Sequence, residues 1–241
     1  MADKIYIEEI DSTNNLLREM VRKERLPEFQ VVYADFQTTG KGQTGNSWES
    51  EKGKNLLFSI LFYPVHISID EHFILSQLVA LSVVEVLNEI TSGFQVKWPN
   101  DIYFGDKKAG GILIENSLQG NKISSSVAGI GINVNQAVFR SDAPNPVSLF
   151  QLTGKELNRE KLLEKVCERT ELNYKFSTFD KLREKYISCL YRGKGFFPYK
   201  TENEMFNASI KSISPDGKLA LQTETGEAKE FYFKEVEFVK S

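Results

Sequence analysis

Apolar and polar residues follow a strand-like pattern in several windows of the first half of the chain. Apolar positions alternate with polar ones, or run without interruption, at 6–10, 30–36, 55–63 and 122–135. Windows of this kind, bounded by turn-forming residues, are typical of β-strands. Two shorter strands are expected at 95–98 and 112–115, around a turn at 105–108. The first half of the chain therefore predicts a sheet.

Apolar residues spaced three and four apart predict helices in other parts of the chain. One helix is expected after residues 11–14, where Leu16, Leu17, Met20 and Val21 share a face. The stretch 69–90 is apolar on nearly all sides, which predicts a long buried helix. Two further helices are expected at 159–179 and 180–191.

The pattern changes after Arg192-Gly193-Lys194-Gly195, which predicts a domain boundary. Short strands separated by turns follow at 205–214, 219–224 and 230–239, as in a small barrel. We therefore expect two domains, 1–191 and 192–241, in an α+β fold. Residues 192–241 contain eight Lys or Arg and eight Asp or Glu, so the second domain is a poor candidate for binding nucleic acid.

The segment 95–115 concentrates residues that an ordinary hairpin does not need. Pro99 cannot donate to a strand ladder, so Asn100 and Asp101 are expected at a break in the sheet. Gly110 and Gly111 leave the returning strand without side chains, which gives room for a bulky group. Lys108 lies between these features and offers a compact positive charge for a carboxylate or phosphate. The alternative is a twisted hairpin with a solvated Lys-Lys tip.

Three other segments allow both a binding and a structural interpretation. Residues 11–14 contain more capping side chains than one helix needs, so some are free for a ligand unless the cap is redundant. The glycine-rich loop 37–48 carries Lys41 and suits an anion, although it matches neither the Rossmann nor the Walker A pattern. Gly129, Gly131 and Asn133 indicate either a ligand close to the strand or a bulge.

Composition narrows the function further. The formal charge is -3 and the isoelectric point about 5.6, which argues against a broad nucleic-acid surface. Cys167 and Cys189 lack metal-site spacing, and His66 and His72 are the only histidines, so we expect no protein-built metal site. The amino terminus has no apolar signal segment, and no membrane span is expected. A soluble cytoplasmic protein is the prediction.

Five short motifs, taken in their order along the chain, resemble the motifs of the biotin protein ligases. The motifs are Ser12-Thr13-Asn14, the loop 37–48, Lys97-Trp98-Pro99-Asn100-Asp101, 107–111 and 129–133. The resemblance covers about residues 5–135 well, and the last strands resemble the SH3-like barrel of that family. It implies a mixed-sheet catalytic domain of the biotin/lipoate ligase, class II synthetase-like type. Because the chain begins at that domain, we expect a monofunctional ligase without the DNA-binding domain.

The resemblance also implies a reaction. The family forms biotinyl-5'-AMP from biotin and ATP with Mg²⁺, and then transfers biotin to one lysine of the carrier domain of a biotin-dependent carboxylase. We therefore expect that carrier domain as partner, no nucleic acid, and a monomer or homodimer. Two alternatives stay open: a lipoate or octanoate ligase or transferase of the same fold, and a small-molecule-binding module without catalysis.

Site residues follow from the matched family positions. Lys108 and Lys41 are expected to be catalytic, because they match positions that supply charge between the carboxylate and the phosphate. The positions expected around biotin are Ser12, Thr13, Asn14, Gln37, Gly40, Lys41, Lys108 and Gly111. The positions expected around the nucleotide are Gln43, Asn46, Trp48, Lys97, Asn100, Asp101, Ile112 and Asn133.

The chain departs from its family in the glycine-rich loop. Lys41 stands where most relatives have an arginine, so the charge is kept and the planar fork is lost. Gln43, Thr44 and Asn46 stand where some relatives carry further arginines. The loop therefore holds less phosphate-binding charge, and looser retention of the adenylate is the hypothesis that follows.

Overall fold

A seven-stranded mixed sheet with helices on both faces, followed by a five-stranded antiparallel sheet, forms the computed structural model. The structure describes residues 4–43, 48–140 and 145–239. In the first sheet the strands lie side by side in the order Lys4–Ile10, Val31–Gln37, Leu56–Phe62, Lys122–Ile132, Lys107–Gln119, Asp101–Phe104 and Phe94–Lys97. In the second sheet the order is Ala228–Phe231, Leu219–Thr223, Met205–Ile213, Phe197–Lys200 and Glu237–Phe238. The α+β fold class with a mixed sheet is confirmed.

The first sheet is parallel only between its first two strands. β1 and β2 pair in parallel, and all other neighbours pair antiparallel. The strands are β1 Lys4–Ile10, β2 Val31–Gln37, β3 Leu56–Phe62, β4 Phe94–Lys97, β5 Asp101–Phe104, β6 Lys107–Gln119 and β7 Lys122–Ile132. The break between β4 and β5 includes Pro99, as its missing N–H predicts.

One face of this sheet carries the main apolar core. Val31, Phe58 and Ile60 point to it and pack with the helix α2, Phe73–Ile90, which is buried along almost its whole length. The helices α4, Arg159–Phe176, and α5, Phe179–Ser188, pack on α2. A 3₁₀ turn, Ile69–Glu71, precedes α2.

The opposite face holds a smaller core and polar residues. Because strand side chains alternate, Val32 and Leu61 point away from the main core and contact Leu17 of the helix α1, Thr13–Lys23. On the same face of β7, Val127 is followed by Gly129 and Gly131. On β7, the sheet face that packs against α1 is therefore apolar at Val127 and lacks side chains at Gly129 and Gly131.

The second sheet is attached to the first through the break between β4 and β5. The indole Nε1 of Trp98 donates to the Gly217 carbonyl at 2.9 Å. Gly217 also lies against α2, since a Cβ there would be 2.8 Å from Cδ2 of Phe73. The strands of this C-terminal sheet are β8 Phe197–Lys200, β9 Met205–Ile213, β10 Leu219–Thr223, β11 Ala228–Phe231 and β12 Glu237–Phe238.

Several expected boundaries were wrong. The segment 95–115 forms three strands, not one hairpin, because residues 101–104 pair on both sides. The helix break falls at Ser177-Thr178, where the Thr178 side chain accepts from the Lys181 N–H and caps α5. The last expected strand, 230–239, is two strands, and β8 was not expected.

A short helix before the expected helix at 159–179 was also missed. The helix α3, Leu149–Thr153, begins with a capping box in which Ser148 and Gln151 exchange side-chain to backbone hydrogen bonds. The Ser-x-x-Gln spacing is a recognised helix-start pattern and was readable from the sequence.

One stretch of the described chain, Ile69–Ile90, is long and apolar enough to cross a membrane by length and composition. Most of it is buried inside the protein, where it packs against the main sheet and α4. Its apolar character is therefore explained by the core.

Two turn glycines of the C-terminal sheet give a matched test of how that sheet docks. Gly217 and Gly226 both have positive φ, 96° and 89°, but no atom lies within 4 Å of a Cβ at Gly226. Gly226→Ala should cost about 1–2 kcal/mol of backbone strain. Gly217→Ala should cost roughly 1–3 kcal/mol more, because its methyl group overlaps Phe73. Equal free energies of unfolding in urea for the two variants would contradict this docking.

Candidate active site

A cavity of about 740 Å³ lies between the start of α1, the glycine-bearing part of β6 and β7, and the C-terminal sheet. Most residues expected at the site line this cavity. They are Ser12, Thr13, Asn14, Gln37, Lys41, Gln43, Trp48, Lys97, Asn100, Asp101, Lys108, Gly111 and Ile112. Segments far apart in sequence therefore meet at one place.

Two of the expected residues that the structure describes, Gly40 and Asn133, are not among those that line the cavity. The Gly40 carbonyl accepts from the Trp48 N–H at 3.0 Å, so this glycine holds the loop against Trp48. The buried Asn133 amide donates to the carbonyls of Lys108 at 3.3 Å and Val147 at 3.1 Å. These contacts fix the start of β6. Asn46, and Thr44 beside it, lie outside the described residues.

Lys108 is a half-buried positive charge of the cavity. Its Nζ lies 2.6 Å from Oδ1 of Asp101, and both side chains are half-buried. The Lys108 backbone is fixed as well, because its N–H donates to the Asn145 carbonyl and its own carbonyl accepts from Val147. The ammonium therefore stands at a defined place, where an incoming anion can replace or share the Asp101 carboxylate.

The strand glycines make room for side chains of the protein itself. A Cβ at Gly131 would lie 2.7 Å from Cε2 of Trp48, and one at Gly111 would lie 3.2 Å from Cζ3 of the same ring. The Lys108 Nζ is 5.7 Å from the ring centroid of Trp48. The indole Nε1 is buried and has no hydrogen-bond partner within the described part of the chain. Trp48 thus forms an aromatic wall with an unused donor.

The polar residues at the start of α1 are not a redundant cap. Ser12 is the N-cap residue, and its side chain makes no capping hydrogen bond. The Thr13 N–H and hydroxyl both donate to Oε1 of Gln37, at 2.8 and 3.0 Å. The Asn14 side chain packs directly over Gly129 of β7. A Cβ on residue 129 would lie 2.5 Å from Oδ1 of Asn14. These side chains are oriented by neighbours inside the fold and face the cavity.

The other end of the cavity meets the C-terminal sheet. The Lys97 ammonium donates to the Tyr103 hydroxyl at 3.1 Å and lies 5.4 Å from the ring of Phe238. Burial, together with the nearby negative charge of Asp101, raises the pKa of the Tyr103 phenol. Its hydroxyl therefore stays neutral and accepts from Lys97 at physiological pH.

Several lining residues were missed from the sequence. They are Tyr103, Asp106, Tyr191, Arg192, Phe233, Lys234, Val236, Glu237 and Phe238. Asp106 and Tyr191 make contact across the chain, since the Tyr191 hydroxyl donates to Asp106 at 2.5 Å. Tyr103 and Asp106 belong to the unusual segment 95–115, which offered a signal. Residues 191 and 233–238 reach the cavity through contacts with residues far away in the sequence. Local sequence patterns do not predict such contacts.

The cysteines and histidines lie away from the cavity. Burial raises the pKa of the Cys167 thiol to about 12 and that of Cys189 to about 11, so both are protonated and unreactive at neutral pH. The His66 ring contacts the rings of Tyr174 and Phe179, and His72 Nδ1 lies 2.8 Å from the Ile69 carbonyl. Within residues 4–43, 48–140 and 145–239, no three His, Cys, Asp or Glu are placed to hold a metal ion together.

Known proteins match both the sequence and this arrangement. The sequence profile of the biotin/lipoate A/B protein ligase family matches residues 6–133. The bifunctional ligase/repressor BirA of Bacillus subtilis (strain 168) is 31% identical over 246 residues, which cover 97% of this chain and 73% of the relative.

Solved structures give the same result over the whole chain. The biotin protein ligase from Aquifex aeolicus in complex with biotin and ATP has a TM-score of 0.79 at 30% identity, and covers 100% of both chains. The biotin protein ligase from Leishmania major in complex with biotinyl-5-AMP shares the fold, with a TM-score of 0.67 at 20% identity over 96% of this chain and 99% of the other. The resemblance expected from the motifs is confirmed: the chain belongs to the biotin/lipoate A/B protein ligase family.

Proposed function

We propose that this protein is a biotin protein ligase, which activates biotin with ATP to biotinyl-5'-AMP and then transfers biotin to a lysine of a biotin carrier domain. The observation that carries the proposal is the position of Lys108. Its fixed ammonium shares one cavity with the polar start of α1 and with the Trp48 wall. The similarity to ligases of Bacillus subtilis and Aquifex aeolicus supports it.

Lys108 addresses the main electrostatic obstacle of the first step. A carboxylate oxygen and a phosphate oxygen about 4 Å apart repel by about 4 kcal/mol at an effective dielectric constant near 20. An ammonium placed between them offsets this repulsion and gains strength as negative charge develops in the transition state. Asp101 keeps Lys108 in position at 2.6 Å, so little reorganisation is needed when the substrates arrive.

The cavity has the right order of groups for both substrates. Thr13 and Gln37 stand at the α1 end, where hydrogen-bonding groups can receive the ring of biotin. Lys108 then meets the carboxylate, and Trp48 and Asn100 border the space beyond it. Lys41 lies at the exposed rim, where its Nζ donates to Asn15 at 3.0 Å and is available to an anion. Holding both substrates in one cavity lowers the barrier further, because the entropy cost of bringing the reacting atoms together is met on binding.

Mg²⁺ fits this arrangement as an ion that accompanies the triphosphate. In nucleotide sites it is commonly held by one or two carboxylates together with substrate phosphates, and not by a cage of protein ligands. Asp101 and Asp106 line the cavity and are the residues that would hold it. When bound, the ion neutralises phosphate charge.

The remaining partners follow from the reaction. We propose a biotin carboxyl carrier domain as acceptor, a monomer or homodimer, a cytoplasmic location and no role for nucleic acid. The net charge of -3 supports the absence of a nucleic-acid surface, and the two free cysteines support the cytoplasmic location.

A lipoate ligase is the second candidate, because the matched family includes lipoate ligases by name. The two acids share a carboxylated tail and differ in their rings. Purified protein with ATP and either acid should form adenylate and release pyrophosphate with biotin at least tenfold faster. A preference for lipoate would overturn the proposal, and no adenylate with either acid would favour a binding module.

Lys108→Ala should lower the rate of biotin adenylation about 10²–10³-fold, because it removes the charge that stabilises the transition state. Lys107→Ala is the matched control, since Lys107 is the exposed neighbour and does not line the cavity. Both variants should keep the circular dichroism of the parent protein. Equal turnover in the two variants would remove Lys108 from its assigned role.

Lys41→Arg should slow the escape of biotinyl-AMP from the purified protein severalfold. A guanidinium can grip the phosphate through two parallel hydrogen bonds, whereas an ammonium is a point charge. The half-life of the bound adenylate, measured by filtration in the absence of a carrier domain, should therefore rank Arg above Lys above Ala at this position. An Arg variant that loses adenylate as fast as the parent would exclude looser retention through Lys41.

A further inference from the structure

Ser59 lies beneath the α1 end of the cavity and was not expected at the site. It is on β3, opposite Gly129 of β7, and has no exposed surface. Its Oγ is 2.8 Å from the Thr13 hydroxyl and 2.6 Å from Oδ1 of Asn14. A serine in an otherwise apolar strand therefore contacts two residues that line the cavity.

The orientation of Asn14 is fixed from its other side. Its Nδ2 donates to Oε2 of Glu115 at 2.8 Å, and Glu115 is also paired with Arg18. A carboxylate accepts hydrogen bonds and does not donate them when ionised, so the Asn14 nitrogen must face Glu115. The Asn14 oxygen then faces Ser59. Because an amide oxygen only accepts, the single proton of Ser59 is directed to Asn14.

Gln37 is fixed in the same way. The Thr13 N–H can only donate, and it contacts Oε1 of Gln37 at 2.8 Å. The Gln37 amide nitrogen therefore points to the other side, where it lies 3.4 Å from a Cβ at Gly40. The Thr13 hydroxyl proton is used inward as well. Because the Ser59 proton goes to Asn14, the proton of Thr13 serves both the contact with Ser59 at 2.8 Å and the contact with Oε1 of Gln37 at 3.0 Å.

The protons of this network thus point into the protein, and their directions define what the cavity offers. Thr13 presents a hydroxyl oxygen whose proton is already committed, so it acts as an acceptor. Gln37 presents an N–H₂ group, which is a donor. A ligand that carries an N–H beside a C=O, such as a cyclic urea, satisfies both, whereas a dithiolane ring satisfies neither.

We propose that Ser59, Asn14 and Glu115 form a positioning network that selects the cyclic urea of the acid substrate by fixing the Thr13 hydroxyl as a hydrogen-bond acceptor beside the Gln37 amide. This inference rests on the proposed function and extends it, because it assigns the choice between biotin and lipoate to residues behind the cavity wall. Ser59 touches no substrate and acts through Thr13 and Asn14.

Ser59→Ala tests the network, with Ser82→Ala as matched control. Ser82 is equally buried and also makes two hydrogen bonds, to the Leu78 carbonyl and from Asn173, on the opposite face of the sheet. Adenylation is measured with biotin, with desthiobiotin, which keeps the urea, and with lipoate, which lacks it. Ser59→Ala should raise the KM for biotin and desthiobiotin about tenfold, the loss of roughly one oriented hydrogen bond. The KM for ATP and kcat/KM for lipoate should change less than twofold.

The outcomes separate this inference from the proposed function. If the parent protein forms no biotinyl-AMP, the proposed function fails whatever Ser59 does. If the parent is active and Ser59→Ala behaves like Ser82→Ala, or alters the KM for ATP and the use of lipoate as much as that of biotin, only the network is overturned.

Glu115→Gln provides a second variant should Ser59→Ala unfold, as judged by circular dichroism. Gln at 115 can donate as well as accept, so it permits Asn14 to rotate and removes the fixed polarity. The same selective rise in the KM for biotin and desthiobiotin is expected. A folded Glu115→Gln variant with parental KM values for all substrates would overturn the proposal.

Discussion

The bare backbone of β7 is the constraint on which the site depends. A methyl group at Gly129 would lie 2.5 Å from Asn14 Oδ1, and one at Gly131 would lie 2.7 Å from Trp48 Cε2. Contacts this short have no room for any side chain, so α1 and the loop after β2 reach the sheet only because both positions are glycine. Once they are there, Asn14 and Trp48 form two walls of the cavity, and Lys108 stands beside the second one.

The two faces of the main sheet have different roles: one stabilises the fold, and the other carries the candidate active site. The face towards α2 is continuously apolar and supplies the core. The opposite face has only a small apolar cluster under α1, and it also carries Ser59, Gly129 and Gly131. The buried polar side chains Ser59 and Asn14 are tolerated there because they are hydrogen-bonded, Ser59 to Asn14 and Asn14 to Glu115. The C-terminal sheet, joined through Trp98 and Gly217, closes the far end of the cavity.

The sequence allowed the fold class and most of the cavity residues to be predicted, because their signals are local. Pro99 indicated a break in the sheet. Lys108, close to Gly110 and Gly111, indicated a positively charged site beside a strand segment without side chains. What fills the space above Gly129 and Gly131 was not predictable, since a ligand, a backbone or a distant Trp48 leaves the same pattern. Ser59 was hidden for a related reason: one serine in an apolar strand is ordinary until its neighbours are known. The contribution of Tyr191 depends on long-range pairing that no window of sequence contains.

In the proposed reaction, the Lys108 ammonium holds the acid against the nucleotide until the amine of an acceptor lysine takes the biotinyl group. The decisive experiment is mass spectrometry of a biotin carrier domain after incubation with this protein, biotin and ATP. We expect a mass increase of one biotinyl group on a single lysine, which depends on ATP and which forms about 10²–10³-fold more slowly when Lys108 is replaced by alanine. An unmodified carrier domain in the presence of folded protein and both substrates would contradict it.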